Sequence, residues 1–167
     1  MTPMIEQAES TSLISLCSLN INQSNAVTHA AMYIISKSTE PVFDIFLVQE
    51  PWWEKVNQEY RMVAFPGWQT ILPRCPIQTT ECPRVVAYYK LDTNLEITLQ
   101  NDTISDLDVM ALNIKREGDI MEATRVINIY NQKKLGASPP MIYTSNHIAN
   151  LQWDPTIPTI ITGDWNI

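Results

Sequence analysis

The chain has 167 residues, of which 45% are hydrophobic and 17% are charged, a composition typical of a globular protein with a single core. It contains no apolar run of about 18 residues, which argues against a membrane-spanning helix in these residues. Eighteen acidic against eleven basic residues give a net charge of −7, which excludes a general basic surface for nonspecific nucleic-acid binding. Any handling of phosphate would therefore need a divalent metal, a local basic cluster or a surface from outside this chain.

The N-terminal residues and the cysteines bear on where the protein works. We expect residues 1–12 to be a disordered tail, and the stretch MTPMIEQAES has neither a basic residue nor a long apolar core, so it does not resemble a secretory signal. The odd cysteine count, with Cys17, Cys75 and Cys82, favours reduced thiols in an intracellular protein. Cys75 and Cys82 lack the spacing of a zinc site.

Hydrophobic periodicity predicts alternating strands and helices along the rest of the chain. The predicted elements, in chain order, are a strand at 13–19, a helix at 25–38, a strand at 43–48, an irregular segment at 51–83, strands at 84–90 and 93–99 that could form a hairpin, strands at 106–114 and 123–130 around a turn at 117–119, a helix at 141–152 and a strand at 157–162. This order favours one domain over 13–167 of the α/β (α+β) class, a two-sheet sandwich of mostly antiparallel strands flanked by helices.

Four of the predicted strands end in polar residues, which are Asn20 and Asn22, Gln49 and Glu50, Tyr130 and Asn131, and Asp164 and Asn166. Strand ends that converge on one sheet edge are rigid supports for a site. Carboxylate and amide oxygens suit Mg²⁺ or Mn²⁺, and with two carboxylates one can hold metal while the other orients a water. The polar strand ends therefore make a metal-assisted hydrolytic site a candidate.

Each of these residues also has a plainer interpretation. Glu50 could simply end a strand in a solvated loop, and residues 163–166 could be an ordinary turn, because Gly, Asp and Asn are common turn formers. Tyr130 could be a core residue whose hydroxyl reaches the edge, and Lys133 could belong to a solvated loop. The pair at 52–53, both tryptophans, suits either core packing or an exposed recognition surface, and the sequence leaves that choice open.

Several other kinds of site lack support in the sequence. His29 and His147 fall on predicted helices, away from the strand ends, which favours structural or surface roles. There is no Gly-rich phosphate loop, and no Ser-His-Asp or Cys-His arrangement has suitable spacing.

The order of the strand ends resembles the endonuclease/exonuclease/phosphatase family. The stretches SLNIN, FLVQEPWW, RVVAYY, VINIYN and IITGDWN follow one another at plausible spacing. Within that family the sequence is most similar to the N-terminal endonuclease domain of LINE-type (non-LTR) retrotransposon polyproteins, particularly fungal ones. The resemblance covers about Leu13 to the last residue.

The resemblance implies a role for each polar residue at the strand ends. Glu50 would be the principal metal ligand, and Asn20 would be a second metal-binding residue that also helps to position the catalytic groups. Asp164 would orient the attacking water, and Tyr130 and Asn166 would contact the scissile phosphate. Three further residues are expected to bind substrate, and these are Asn22, Asn131 and Lys133. The implied reaction is Mg²⁺- or Mn²⁺-dependent hydrolysis of a phosphodiester bond in DNA.

The chain departs from the family in one respect. The family's domain continues through further strands to a Ser-Asp-His-type motif, whose histidine contacts the phosphate, and nothing here matches that motif. We therefore expect a domain that is incomplete on its C-terminal side and has little or no nuclease activity. A nuclear location would follow if the chain acts as a retrotransposon endonuclease. A non-enzymatic retroelement remnant or binding fragment, and a phosphatase or phosphodiesterase of the same fold, remain alternatives.

Overall fold

The structure is a computed structural model, and it describes residues 13–37, 43–57, 59–73, 81–100, 106–118, 123–131, 133–134 and 142–165. The expected tail at 1–12 lies outside these residues. The chain is a mixed α+β protein built mostly from strands. Its elements are β1 (Leu16–Asn20), α1 (Asn25–Lys37), β2 (Ile45–Gln49), β3 (Trp53–Val56), β4 (Glu59–Met62), β5 (Trp68–Ile71), β6 (Val85–Lys90), β7 (Leu95–Leu99), β8 (Val109–Arg116), β9 (Thr124–Tyr130), β10 (Lys133–Lys134), β11 (Ile142–Tyr143), α2 (Thr144–Ala149) and β12 (Thr159–Asp164).

Two four-stranded sheets contain most of the strand residues of the described chain. The first sheet has the order β1-β2-β6-β5 and the second has the order β12-β9-β8-β7. In each sheet the first two strands run parallel and the other neighbours run antiparallel. The predicted predominance of antiparallel pairing is therefore confirmed. The remaining strands form two small ribbons, β3 with β4 and β10 with β11.

Alternation along the strands divides the apolar residues into layers. Phe46, Val48, Val86 and Tyr88 of the first sheet face the buried side of α1. The alternate residues of the same strands pack with β8 and β9 of the second sheet, in a cluster of Ile45, Leu47, Val85, Ala87, Met110, Leu112, Ile114 and Val126. The other side of β8 and β9 is covered by Ile148 of α2 together with Leu151 and Trp153.

Helix α1 forms where the periodicity places it. The Ser24 hydroxyl accepts a hydrogen bond from the Val27 backbone N–H at 3.3 Å, as a helix-capping residue does. Thr28, Ala31, Met32 and Ile35 are its buried residues, and their spacing of three and four puts them on one face. The predicted helix at 25–38 is confirmed over its described part.

Three predictions about the elements are wrong. The segment 51–83 was expected to be irregular, yet it contains β3, β4 and β5, each only four residues long. Prolines 51, 66 and 73 lie between or beside these strands and mask their short alternation. The strands at 84–90 and 93–99 do not pair, because β5 pairs with β6 while β7 pairs with β8. The predicted helix at 141–152 is shorter, since residues 142–143 are a strand and α2 ends at Ala149.

Within the described residues, neither helix has the length and apolar character needed to cross a membrane.

Candidate functional site

The polar residues at four strand ends come together because the strands that carry them run in parallel pairs. β1 and β2 are parallel, with Asn20 beside Gln49 in register, so Asn20 and Glu50 leave the first sheet at the same edge. β9 and β12 are also parallel, with Tyr130 beside Asp164. Strands β1 and β2 contact β12 across the two sheets. The carboxyl ends of these pairs therefore meet at one place.

At that place one amide group joins two carboxylates. The Asn20 Nδ2 donates to Glu50 Oε2 at 3.1 Å and to Asp164 Oδ2 at 2.5 Å. The Asn20 Oδ1 accepts from the backbone N–H of Asn22 at 2.7 Å, which fixes the orientation of the amide. All three side chains are half-buried. We call Asn20, Glu50, Tyr130 and Asp164 the carboxylate cluster.

Tyr130 belongs to the cluster through its hydroxyl. Burial raises the pKa of the Tyr130 phenol above its ordinary value, and its hydrogen bond to Glu50 and the negative charges of Glu50 and Asp164 raise it further. The nearby Arg84 acts in the opposite direction, lowering the pKa. The phenol is therefore a stable proton donor at neutral pH, held against the Glu50 carboxylate.

The backbone beside the cluster adopts conformations that L residues rarely take. Glu50, Asn22 and Gln23 have φ angles of 48°, 48° and 52°. The Gln23 N–H donates to the Glu50 carbonyl at 2.8 Å, which ties the loop after β1 to the end of β2. Left-handed residues other than glycine cost free energy and tend to occur at functional sites. Here the hydrogen bond between Gln23 and Glu50 stabilises the left-handed conformation both in the loop between β1 and α1 and in the turn after β2.

Gly163 allows Asp164 to approach Tyr130. Its φ is +140°, and a Cβ at this position would collide with the backbone carbonyl of Ile129, its partner in register on β9. Only glycine fits such a close approach of two backbones. The Gly-Asp order in this strand therefore has a structural reason that is independent of turn formation.

Next to the carboxylate cluster, two buried amide side chains are hydrogen-bonded to each other. One belongs to Gln49, the residue before Glu50, and the other belongs to Asn128. The Gln49 Nε2 donates to Asn128 Oδ1 at 2.5 Å and to Ser18 Oγ at 3.1 Å. The Asn128 Nδ2 donates to the carbonyls of Val48 and Val86 at 3.1 and 3.2 Å. Asn128 lies on β9 and is fully buried, so these bonds connect the second sheet to β2 and β6 of the first. We call Gln49 and Asn128 the buried amide pair.

Arg84 supplies positive charge next to the cluster. Its Nε and Nη2 donate to the two carboxylate oxygens of Asp108, with the second bond at 2.7 Å, and Asp108 is fully buried. The guanidinium lies over the Tyr130 ring, 5.4 Å from the centroid. A bidentate salt bridge of this kind fixes the orientation of the arginine side chain. Neither residue was predicted as part of the site, although Arg84 opens the predicted strand at 84–90 and Asp108 lies within the predicted strand at 106–114.

The other predicted site residues are placed differently. Asn131 is buried, and its side chain accepts from the Ser145 N–H at 3.0 Å and donates to the Trp165 carbonyl at 2.7 Å, so it joins α2 to the end of β12. Asn22 is exposed beside Asn20. The side chain of Lys133 and the whole of Asn166 lie outside the described residues.

The described histidine, His29, does not extend the cluster. His29 packs edge-on against Phe65, with ring centroids 5.9 Å apart, on the face of α1. The His147 side chain lies outside the described residues. In the part of the chain that the structure describes, no group of three or more His, Cys, Asp or Glu side chains could hold a metal ion. Glu50 and Asp164 therefore have no third ligand of these types among the described residues.

The donor chemistry of the cluster still suits one small divalent cation. Mg²⁺ usually keeps several waters and is held by one or two carboxylates together with substrate phosphate. Glu50 and Asp164 reach the same amide nitrogen, so a cation between them would relieve the repulsion of two anions. In this arrangement Asn20 presents a donor nitrogen to the carboxylates, and its oxygen is occupied by Asn22. The residues that fit as metal ligands are thus Glu50 and Asp164, and the Asn20 amide nitrogen bridges their carboxylates.

Comparison with known proteins adds no relative from which a function could be inferred, so any functional proposal rests on the geometry of the site. No family model matches the chain, no curated protein matches it and no solved structure matches it.

Proposed function

We propose that the chain is a divalent-metal-dependent phosphodiesterase that acts on DNA, with weak activity on its own. The observation that carries the proposal is the meeting of Glu50 and Asp164 on the Asn20 amide. Asn20 is 30 residues from Glu50 and 144 residues from Asp164 in sequence, so the cluster depends on the whole fold. All three residues are among those to which the resemblance to the endonuclease/exonuclease/phosphatase family assigned a role.

The fold that we propose is the two-sheet sandwich of that family, flanked by helices. The shared cluster of apolar residues from β2, β6, β8 and β9 supports it, because it lies between one face of each four-stranded sheet. The buried amide pair, which also connects the sheets, adds to this support.

Mg²⁺ or Mn²⁺ bound by Glu50 and Asp164 would polarise the phosphate and stabilise the leaving oxygen. The Tyr130 hydroxyl donates its hydrogen bond to the Glu50 carboxylate. When a bound substrate replaces that carboxylate as the acceptor, the same hydroxyl would donate to a phosphate oxygen. Asp164 would accept a proton from the attacking water. Asn20 bridges the two carboxylates through its amide nitrogen and so orients them, and the Arg84 guanidinium contributes positive charge close to Tyr130.

The activity should be weak because the cluster is small. Among the described residues no histidine joins Glu50 and Asp164, so no imidazole is available there to stabilise charge or to protonate the leaving group. Catalytic groups that act as a unit lose most of their effect when one member is absent. Weak activity, rather than none, is what a metal-binding carboxylate pair with a phenol would give.

The test is nicking of supercoiled plasmid by the purified chain in Mg²⁺ or Mn²⁺, with EDTA as the metal-free control. We expect slow nicking that Glu50→Gln and Asp164→Asn abolish. Glu96→Gln is the matched control, because Glu96 is an exposed carboxylate on β7 that pairs with Lys115 at 2.7 Å and should not affect nicking.

Three results would contradict the proposal. Nicking that survives Asp164→Asn would show that a contaminating nuclease produces it. The absence of both nicking and Mn²⁺ binding, the latter measured by calorimetry on wild type and on Glu50→Ala, would favour a non-enzymatic fragment. Hydrolysis of a phosphomonoester without plasmid nicking would favour the phosphatase alternative.

A further inference from the structure

An open cleft of about 540 Å³ begins at the carboxylate cluster. Its walls carry three aromatic residues, Trp52, Trp53 and Tyr60, and also the charged residues Glu50, Glu81 and Arg84. Small-molecule sites in proteins have volumes of about 300–1,000 Å³, and this space falls within that range. We call this space the aromatic cleft. It shares Glu50 with the carboxylate cluster, so a ligand in it would lie next to the reacting atoms.

The ribbon of β3 and β4 builds the outer wall of the aromatic cleft. Tyr60 lies opposite Lys55 in register, and alternation puts Trp53 on the same face of the ribbon as Lys55. The Trp53 indole N–H donates to the Pro83 carbonyl at 3.0 Å, which fastens the ribbon to the segment before β6. Tyr60 is half exposed, and the Lys55 ammonium lies 5.7 Å from its ring centroid. Trp53 is thus held in place, and half of the Tyr60 side chain remains exposed.

The net negative charge of the chain limits how strongly the phosphates of a nucleic acid can bind at the aromatic cleft. With eleven basic residues against eighteen acidic ones, the chain has little capacity to gain affinity by neutralising phosphates. A nucleobase is neutral and flat, and stacking on an aromatic side chain strengthens binding by ~5- to 150-fold per base. An aromatic cleft next to a phosphodiesterase site therefore offers a source of DNA affinity that does not depend on basic residues.

We propose that the aromatic cleft takes an unpaired nucleobase of the DNA strand that is cut, next to the scissile phosphate. The choice of DNA as the ligand rests on the function proposed above. Trp52 and Tyr60 provide the stacking surfaces, and Trp53 is a positioning residue because its N–H is engaged by Pro83. Since a base within a duplex cannot stack on a side chain without leaving its neighbours, the cleft favours single-stranded or locally opened DNA.

The test compares two fluorescent ten-nucleotide probes by anisotropy in EDTA, which prevents cleavage. One probe is oligothymidylate, and the other has the same phosphates but abasic residues in place of the central four nucleotides. We expect the wild type to bind oligothymidylate at least about 5-fold more tightly than the abasic probe, the lower limit for one stacked base. Trp52→Leu and Tyr60→Ala should each reduce this difference.

Tyr33→Ala is the matched control, because Tyr33 is an exposed aromatic residue on α1 that does not line the aromatic cleft. Equal affinity of the wild type for both probes, or an unchanged difference in Tyr60→Ala, would overturn the proposal. Because Tyr60 is half exposed, its replacement should leave the fold intact even if Trp52→Leu does not fold. Plasmid nicking measured in parallel separates the two proposals. Nicking without a preference for bases refutes the role of the cleft alone, and base-dependent binding without nicking refutes the phosphodiesterase alone.

Discussion

Replacing Asn128 with leucine should remove the hydrogen bonds by which the buried amide pair connects the two four-stranded sheets. The Asn128 amide takes part in three hydrogen bonds, one from Gln49 and two to the carbonyls of Val48 and Val86. Leucine has a similar shape and is apolar, so Asn128→Leu deletes these bonds with little change in packed volume. The Gln49 amide would keep its bond to Ser18 and lose the other.

The cost follows from the number of bonds and their burial. A buried hydrogen bond contributes about 0.5–1.5 kcal/mol to stability, so the loss of three should lower the free energy of unfolding by about 3 kcal/mol. In a domain of this size each kcal/mol corresponds to about 2–4 °C in Tm, so the expected decrease is about 6–12 °C. Gln49→Leu should cost less by itself. The double variant should be less damaged than the sum of the two single variants, by about 1 kcal/mol, because the amides lose the same bond.

Urea unfolding followed by fluorescence, together with thermal melts, measures these differences. Asn113→Leu on β8 is the control, because the Asn113 Oδ1 is buried and accepts no hydrogen bond from the residues that the structure describes. The same substitution there should be neutral or stabilising, since it removes an unpaired polar atom. If Asn128→Leu costs no more than Asn113→Leu, or if the two amide substitutions are additive, the buried amide pair does not stabilise the contact between the sheets.

Three further predictions concern the carboxylate cluster. Asp164→Asn should raise the free energy of unfolding by up to about 1 kcal/mol in metal-free urea titrations, because it removes a charge that repels Glu50. The same substitution should abolish nicking. A loss of stability would contradict the proposed repulsion. Gly163→Ala should cost more than about 2 kcal/mol and abolish nicking, since its Cβ would strike the Ile129 carbonyl at a left-handed φ, and a wild-type melting curve would refute this close approach. Because the pKa of Tyr130 is raised in the fold, its contribution to stability is complete below about pH 10 and is lost as the pH rises towards the folded value. Urea titrations at pH 9 and pH 11 should therefore show a smaller decrease in stability for Tyr130→Phe than for wild type, and equal decreases would contradict the raised pKa.

The longer elements of the fold could be predicted from the sequence. Helix α1 has a capping residue and four buried positions at helical spacing, so local information determines it. The central strands are runs of apolar residues that only a buried strand accommodates. The pairing of β6 with β5 could not be predicted, because β5 has only four residues and lies among prolines, and its partner is chosen by tertiary packing rather than by local propensity.

The candidate site was predictable where a strand ends in a polar residue. Asn20, Glu50, Tyr130 and Asp164 all stand at such ends, and the structure brings them together. Asn131 stands at a similar end, yet its amide bonds to Ser145 and Trp165 and is used for structure. The distinction depends on which way each side chain points at the edge of the sheet.

The position of the two carboxylates on different sheets has a consequence for mutational tolerance. Glu50 follows a strand of the first sheet and Asp164 ends a strand of the second, so the distance between them follows the spacing of the sheets. Residues such as Leu47 and Leu112 are fully buried in the cluster shared by the sheets, and their volume contributes to that spacing. A change in side-chain volume there that the fold tolerates would still separate the carboxylates and lower the proposed activity. Selection for catalysis would then conserve core residues that selection for stability alone leaves free to vary.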